Sequence, residues 1–357
     1  MPLSATHFYL VLYGATLALH VVFMNYVLGG ATYLAVRSLR GLTGASNDAP
    51  DPIAETARDW LPLALSAAIT AGVAPLLFVQ ILYPRAFYTA NLLLFHRWMA
   101  VIPVLITGFY LLYLLKSRLT ERAAGRSWAL LSTGAFLCMA FTGLSWTENH
   151  LLSLDEPVWT GFYASGSLVY ADARVWVRFA MWLFGSLPTF CLLMAWQLRR
   201  SAKHGSATRL AHWALSAALL SGVAGIAYGG TLDEKTRGAF SGVVGVAALS
   251  VAGAGWLMQV VGWIGVLRKK ALRVGSLGLA AIGVLATIGG VTTVREVIRL
   301  RAIDVPSLQA EHAQAAGKGG LWVFVLFLIV NAALIAWCVR IVARRSARFD
   351  EDAGQAL

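Results

Sequence analysis

The chain has 357 residues, of which 58% are hydrophobic and only 13% charged. A soluble domain carries about 25% charged residues, so a water-facing globule, a disordered chain and a nucleic-acid-binding protein are excluded, and nucleic acid is not an expected partner. The formal net charge of +12 comes from Lys and Arg in short loops between apolar blocks, the charge pattern of a polytopic inner-membrane protein.

The apolar blocks have the length of helices that cross a hydrocarbon core of about 30 Å. Taken in chain order they predict spans at 8–36, 60–83, 92–115, 128–151, 175–198, 210–230, 240–267, 274–295 and 321–343. The first has no Lys or Arg before it and is too long for a signal-peptide core, so it reads as a span. Backbone groups in lipid must pair within their own segment. The expected fold is therefore all-α, a polytopic bundle of nine transmembrane helices. Residues 1–348 are expected to form one transmembrane domain and 349–357 an acidic, flexible tail.

With the N-terminus outside and the C-terminus inside, 19 of the 29 Lys and Arg fall in cytoplasmic loops, as the positive-inside rule requires. Arg295, Arg299, Arg301 and Lys318 in the outer segment 295–320 run against that trend. The outer segment 152–174 carries Trp159, Phe162, Tyr163 and Tyr170 and reads as a short amphipathic stretch at the membrane interface. Gly225 and Gly229 form a GxxxG in the sixth block, and the seventh block is also glycine-rich. Close helix packing accounts for both.

Cys138, Cys191 and Cys338 each stand alone in an apolar block. No CxxCH is present for covalent haem, and no cysteine cluster for zinc or iron–sulfur. A phosphate-cradling Walker loop and a dinucleotide glycine fingerprint are also missing.

Ionisable residues inside spans are costly and are functional candidates. His20 lies well inside the first block, in LALHVVFMNYVLGG, with Tyr13, Thr16, Phe23, Met24 and Val27 on its helical face. A neutral imidazole there suits an axial haem ligand; the alternative is a histidine hydrogen-bonded to a neighbouring helix. Only two acids touch apolar blocks. Glu148 ends the fourth block and Glu296 ends the eighth, where Thr292, Thr293 and Arg299 share its face. The Glu296–Arg299 spacing also fits a plain interfacial salt bridge. His7, His96, His150 and His312 fall near the outer boundary in four separate segments, where solvation at the interface is expected. Gln80, in GVAPLLFVQILY, is placed to bond a quinone oxygen or a haem propionate, or to cap helix packing.

On these residues the chain resembles a distant, shortened relative of cytochrome bd quinol oxidase subunit I. That family has nine spans, N-out and C-in. Its first span carries a haem-ligating histidine, which His20 in LHVVFMNYVLGG resembles. Its second span ends in a motif of the type GVxxGxxxEFQFG, matched in part by Gly72, Val73, Phe78 and Gln80. Its eighth span ends in Glu-x-Gly-Arg-Gln-Pro-Trp, whose Glu binds a high-spin haem; Glu296-Val297-Ile298-Arg299 is similar to the start of it, without the Gly, Pro and Trp. The resemblance implies non-covalent haem b, with His20 and Glu296 as metal ligands and Arg299 neutralising propionate charge. It also implies Gln80 and Trp146 beside the outer haem or quinone region.

The departures bear on activity. The family's low-spin haem uses a His in the fifth span and a Met in the seventh. Here the fifth span offers only Met181 at the expected place, and Met258 in the seventh stands at the wrong end. The third span, HRWMAVIPVLITGFY, has no carboxylate for proton delivery. The quinol-binding loop is reduced to TLDEKTRGA at 231–239. Oxygen reduction by the family mechanism is therefore not expected. The expected role is a respiratory electron-transfer subunit of the bacterial cytoplasmic membrane, passing electrons between the quinone pool and an outer-side c-type cytochrome among other respiratory subunits. The alternatives are a non-catalytic membrane scaffold of a respiratory complex and a transporter.

Overall fold

The structure is a computed structural model. It describes residues 5–43, 51–117, 125–200, 206–301, 305–316, 322–323, 325–334, 336–337 and 340–341. The expected tail at 349–357, Cys338 and parts of the block at 321–343 lie outside the described residues. Among those residues the regular structure is entirely helical. The chain divides into two compact units, one of Leu10–Ile303 and one of Met1–Tyr9 with Asp304–Leu357.

The larger unit holds the long helices, the first of them from Leu10 onward. They are α1 (Ala5–Leu42), α2 (Pro52–Leu82), α4 (Phe95–Lys116), α5 (Gly125–Leu152), α7 (Ala173–Arg200), α8 (Ala207–Thr231), α10 (Val243–Lys269) and α11 (Val274–Arg301). Short helices α3 (Pro84–Leu93), α6 (Trp159–Ser165) and α9 (Glu234–Gly238) lie between them. Among the described residues, eight helices are long and apolar enough to cross a bilayer. Their outward side chains are apolar too; Leu130, Ile226 and Val243 are 76%, 80% and 87% exposed. In water such faces would be costly, and lipid removes the cost. The chain is a multi-pass helical membrane protein in contact with the bilayer.

The helices outrun the apolar blocks that announce them, because backbone pairing continues until a cap or a proline stops it. α2 starts eight residues before its expected span. Asp51 caps it by accepting from the Ile53 amide at 3.1 Å, and Pro52 occupies the first turn, where its missing N–H costs nothing. The same carboxylate accepts from Tyr33 at 2.8 Å and pairs with Arg37 at 2.7 Å and Arg209 at 2.8 Å. One buried acid thereby ties α1, α2 and α8 together. At the far end Pro84 forces α2 to stop at Leu82 and begins α3, since the residue before a proline disfavours helical backbone.

Polar side chains join the helices inside the bundle. Trp182 donates to the Asn25 carbonyl at 3.0 Å, and the Asn25 amide donates to Thr189 at 3.2 Å. Tyr26 donates to Gln197 at 2.9 Å. These contacts pin α1 against α7 in a medium where apolar burial gives little drive for helix association.

The glycine expectation divides. On α8, nothing lies within 4 Å of a Cβ built at Gly229, and at Gly225 only Met181 comes near. The close approach is between α10 and α11. There a Cβ at Gly255, Gly262, Gly283 or Gly290 would meet backbone atoms of the partner helix at 2.6–2.8 Å. The seven-residue steps, Gly255 to Gly262 and Gly283 to Gly290, keep the small residues on one seam.

The segment 152–174 is a 3-10 turn (Glu156–Val158) followed by α6, with Tyr163 80% exposed. It is pinned by Tyr170, whose amide donates to Glu148 at 2.7 Å and whose hydroxyl donates to Asp155 at 2.6 Å. Hydrogen bonds from Arg174 hold the Asp172 carboxyl below the usual carboxylate range. Burial, and then the hydrogen bond to Asp155, push the Tyr170 hydroxyl up.

In the smaller unit, α12 (Val305–Ala316) carries a buried His312 whose Nδ1 lies 3.0 Å from the Thr6 hydroxyl. Tyr9 meets its ring edge-on at 5.8 Å. A further apolar helix, α13, covers Val325–Leu334.

Candidate functional site

The buried ionisable groups of the larger unit gather where α2, α5 and α11 reach their ends beside α1. Arg299 lies two residues before the end of α11 and is 4% exposed. Its Nη1 donates to the Tyr13 hydroxyl at 3.1 Å and to Glu296 Oε1 at 3.4 Å. Its Nη2 donates to His150 Nδ1 at 2.7 Å. The guanidinium also stacks over the Tyr83 ring, 4.6 Å from the centroid, and such cation–π contacts strengthen when desolvated. Tyr83 in turn donates to Glu296 Oε2 at 2.8 Å. Both Glu296 oxygens are therefore held. A buried ion pair of this kind roughly balances its desolvation cost, but losing one partner strands the other.

Tyr83 reaches Glu296 because Pro84 breaks the chain there and leaves the tyrosine at the corner between α2 and α3. Arg295, one turn back from Arg299, has its guanidinium 6.0 Å from the Tyr13 ring. It lies within electrostatic reach of both His20 and His150. Arg178 of α7 also acts on His150, and donates to the Tyr228 hydroxyl at 2.7 Å.

His150 is 5% exposed, and among the described residues its Nε2 has no hydrogen-bond partner. Solvation at the interface was the expectation for it and for His312, yet both are buried, whereas His7 and His96 are exposed. For His150 the cause is visible locally. Thr147, Glu148, Asn149 and His150 are all buried, because α5 continues through this polar run to Leu151 and Leu152. Neighbouring elements supply the partners. Arg97 pairs with Glu148 at 2.6 Å, and Asn149 donates to Asn91 at 2.6 Å.

His20 is half-buried, and its Nδ1 is 2.9 Å from the Ala68 carbonyl of α2. A carbonyl only accepts, so Nδ1 carries the proton and Nε2 keeps its lone pair. Gly72 makes room for the ring: a Cβ there would lie 2.8 Å from His20 Cε1. The remaining sequence candidates have their own surroundings. Trp146 is half-buried and packs edge-on against Trp98 at 4.7 Å. The Met181 sulfur faces Gly225 of α8. Gln80 is half-buried.

Among the described residues no group of three or more His, Cys, Asp or Glu is arranged to hold a metal ion. Cys138 and Cys191 are free thiols. A cavity of about 200 Å³ lies between α3 and α6, lined by Leu92, Leu93, Phe95, His96, Phe162 and Tyr163 among others. No protein-family model matches the chain, and no curated protein matches it.

The residues that sequence reasoning passed over are His150, Arg178, Arg295 and Tyr83. The TENH run inside a continuing apolar segment was the available signal for His150. The arginines carried weaker signals: Arg178 falls inside the expected span 175–198, and Arg295 runs against the positive-inside trend.

Proposed function

We propose that the protein is a membrane-embedded, b-haem-binding electron-transfer subunit. It stands N-out and C-in with nine spans in a bacterial cytoplasmic membrane, and passes electrons between the quinone pool and an outer-side cytochrome. The observation that carries this reading is the state of His20. Its Nδ1–H is anchored on the Ala68 carbonyl, a hydrogen bond of the kind that orients a ligating imidazole and keeps Nε2 basic.

The residues fit haem unevenly. His20 offers a lone pair on Nε2 and would hold the iron. Glu296 has both oxygens engaged by Tyr83 and Arg299, so it serves as the charge partner of Arg299 and not as a ligand. Arg299 neutralises negative charge at the bundle end. A bound haem supplies one-electron transfer; the protein fixes its orientation and keeps its surroundings dry. The apolar cavity between α3 and α6, with His96 among its lining residues, is where a quinone ring would approach.

A second reading, a scaffold without cofactor, draws on the same imidazole: its ring fills the groove that Gly72 leaves, as a purely structural histidine would. A reduced-minus-oxidised spectrum of the purified protein with pyridine haemochrome typing separates the two. A b-type signal that His20→Ala diminishes supports the electron-transfer reading; a protein without a Soret band supports the scaffold.

A further inference from the structure

We propose that the cluster of His150, Arg178, Arg295 and Arg299 binds an oxyanion, supplied by the phosphate of an anionic lipid headgroup or by a free anion from the water. The proposal does not rest on the haem reading. Its first support is the protonation pattern of His150. Arg299 can only donate, so the Nδ1 it touches at 2.7 Å is an acceptor, and the ring proton sits on Nε2. That N–H is buried without a partner. A protonated Nε2 does not ligate a metal, but it does donate to an oxygen.

The second support is charge. Arg178, Arg295 and Arg299 all lie within electrostatic reach of His150. Glu296 pairs with Arg299, and Glu148 nearby is engaged by Arg97. Among the described residues neither Arg178 nor Arg295 has a carboxylate within ion-pair distance; their partners are the Tyr228 hydroxyl and ring and the Tyr13 ring. Two cations without an ion-paired carboxylate, one of them also within electrostatic reach of Glu296, together with an unpartnered imidazole N–H form a donor-rich site, the chemistry that recognises phosphate or carboxylate.

Depth is the third support. His150 is two residues from the end of α5, Arg299 two from the end of α11, and Arg178 five from the start of α7. At 1.5 Å per residue these three lie within about 8 Å of the helix ends and Arg295 about 9 Å from the end of α11, near enough for an interfacial anion to reach.

The test uses the full chain purified in detergent, in two arms. Thermal unfolding is followed by tryptophan fluorescence in sodium phosphate against sodium chloride at equal ionic strength. Native mass spectrometry is run with phosphatidylglycerol added. A midpoint raised by phosphate identifies a free anion, and a retained phosphatidylglycerol adduct identifies a lipid. In Arg295→Gln the phosphate or phosphatidylglycerol concentration needed for either effect should rise about tenfold, and in Arg37→Gln, at the opposite end of α1, it should stay unchanged. Arg178→Gln replaces the first variant if that fails to fold. Binding in neither arm, or binding undiminished in Arg295→Gln and Arg178→Gln, overturns the proposal. Neither readout uses the Soret band, so this site and the haem can fail separately.

Discussion

Replacing Gly283 with alanine probes the seam between α10 and α11. The added Cβ would lie 2.6 Å from the Gly255 carbonyl oxygen and 2.7 Å from the Gln259 amide nitrogen. Both are backbone atoms, so no rotamer change relieves the clash. Heavy atoms rest near 3.5 Å, so the helices must part by about 1 Å. Overpacking of this kind costs about 1–3 kcal/mol. Alanine also gains up to about 1 kcal/mol over glycine in helix propensity, which would mask part of the loss against the unaltered protein. Gly253→Ala, on α10 with nothing within 4 Å, carries the same gain and no clash. Denaturant unfolding of the two variants in detergent should show Gly283→Ala less stable than Gly253→Ala by about 1–3 kcal/mol. Equal stability would refute the backbone-to-backbone packing.

Other substitutions read other parts of the fold. Asp51→Asn keeps one acceptor oxygen, for the cap, and turns an amide NH2 toward Tyr33 and two partly exposed arginines, so it should cost about 1–3 kcal/mol. Asp51→Ala also loses the cap and strands the buried Tyr33 hydroxyl, and should cost about 2–4 kcal/mol in the same assay. Tyr83→Phe leaves Glu296 with one donor fewer and should cost about 1–3 kcal/mol; a neutral result would mean that water replaces the hydroxyl. Asp172 has a folded-state pKa below its unfolded value, so its stabilisation is complete above about pH 4 and is lost as pH falls through the lowered value. Thermal melts in acid should therefore fall less steeply for Asp172→Asn, and parallel curves would count against the Arg174 contact.

The spans were legible because apolar length is a one-dimensional signal that a bilayer imposes directly on sequence. Their ends were less so. α2 begins at Pro52 and not near residue 60 because Asp51 caps it, and that cap depends on Arg37, Tyr33 and Arg209 from other helices. The site was half legible. Glu296 and Arg299 stood out as charges on one helical face, and they do pair. His150 was read as solvated because its burial is made by neighbours: Arg299 from α11, and Arg97 and Asn91, which occupy the adjoining Glu148 and Asn149. GxxxG on α8 and the seven-step glycines of α10 looked alike as patterns. Only the second pair meets a facing backbone, and that depends on which helix lies opposite.

The central claim is that His20 holds a haem. Its most direct test is the reduced-minus-oxidised spectrum of the purified protein beside that of His20→Ala. The account predicts a b-type haem signal in the unaltered chain that is diminished or lost in the variant, at an unchanged yield of folded protein. A spectrum without haem, or one that His20→Ala leaves unaltered, would contradict it.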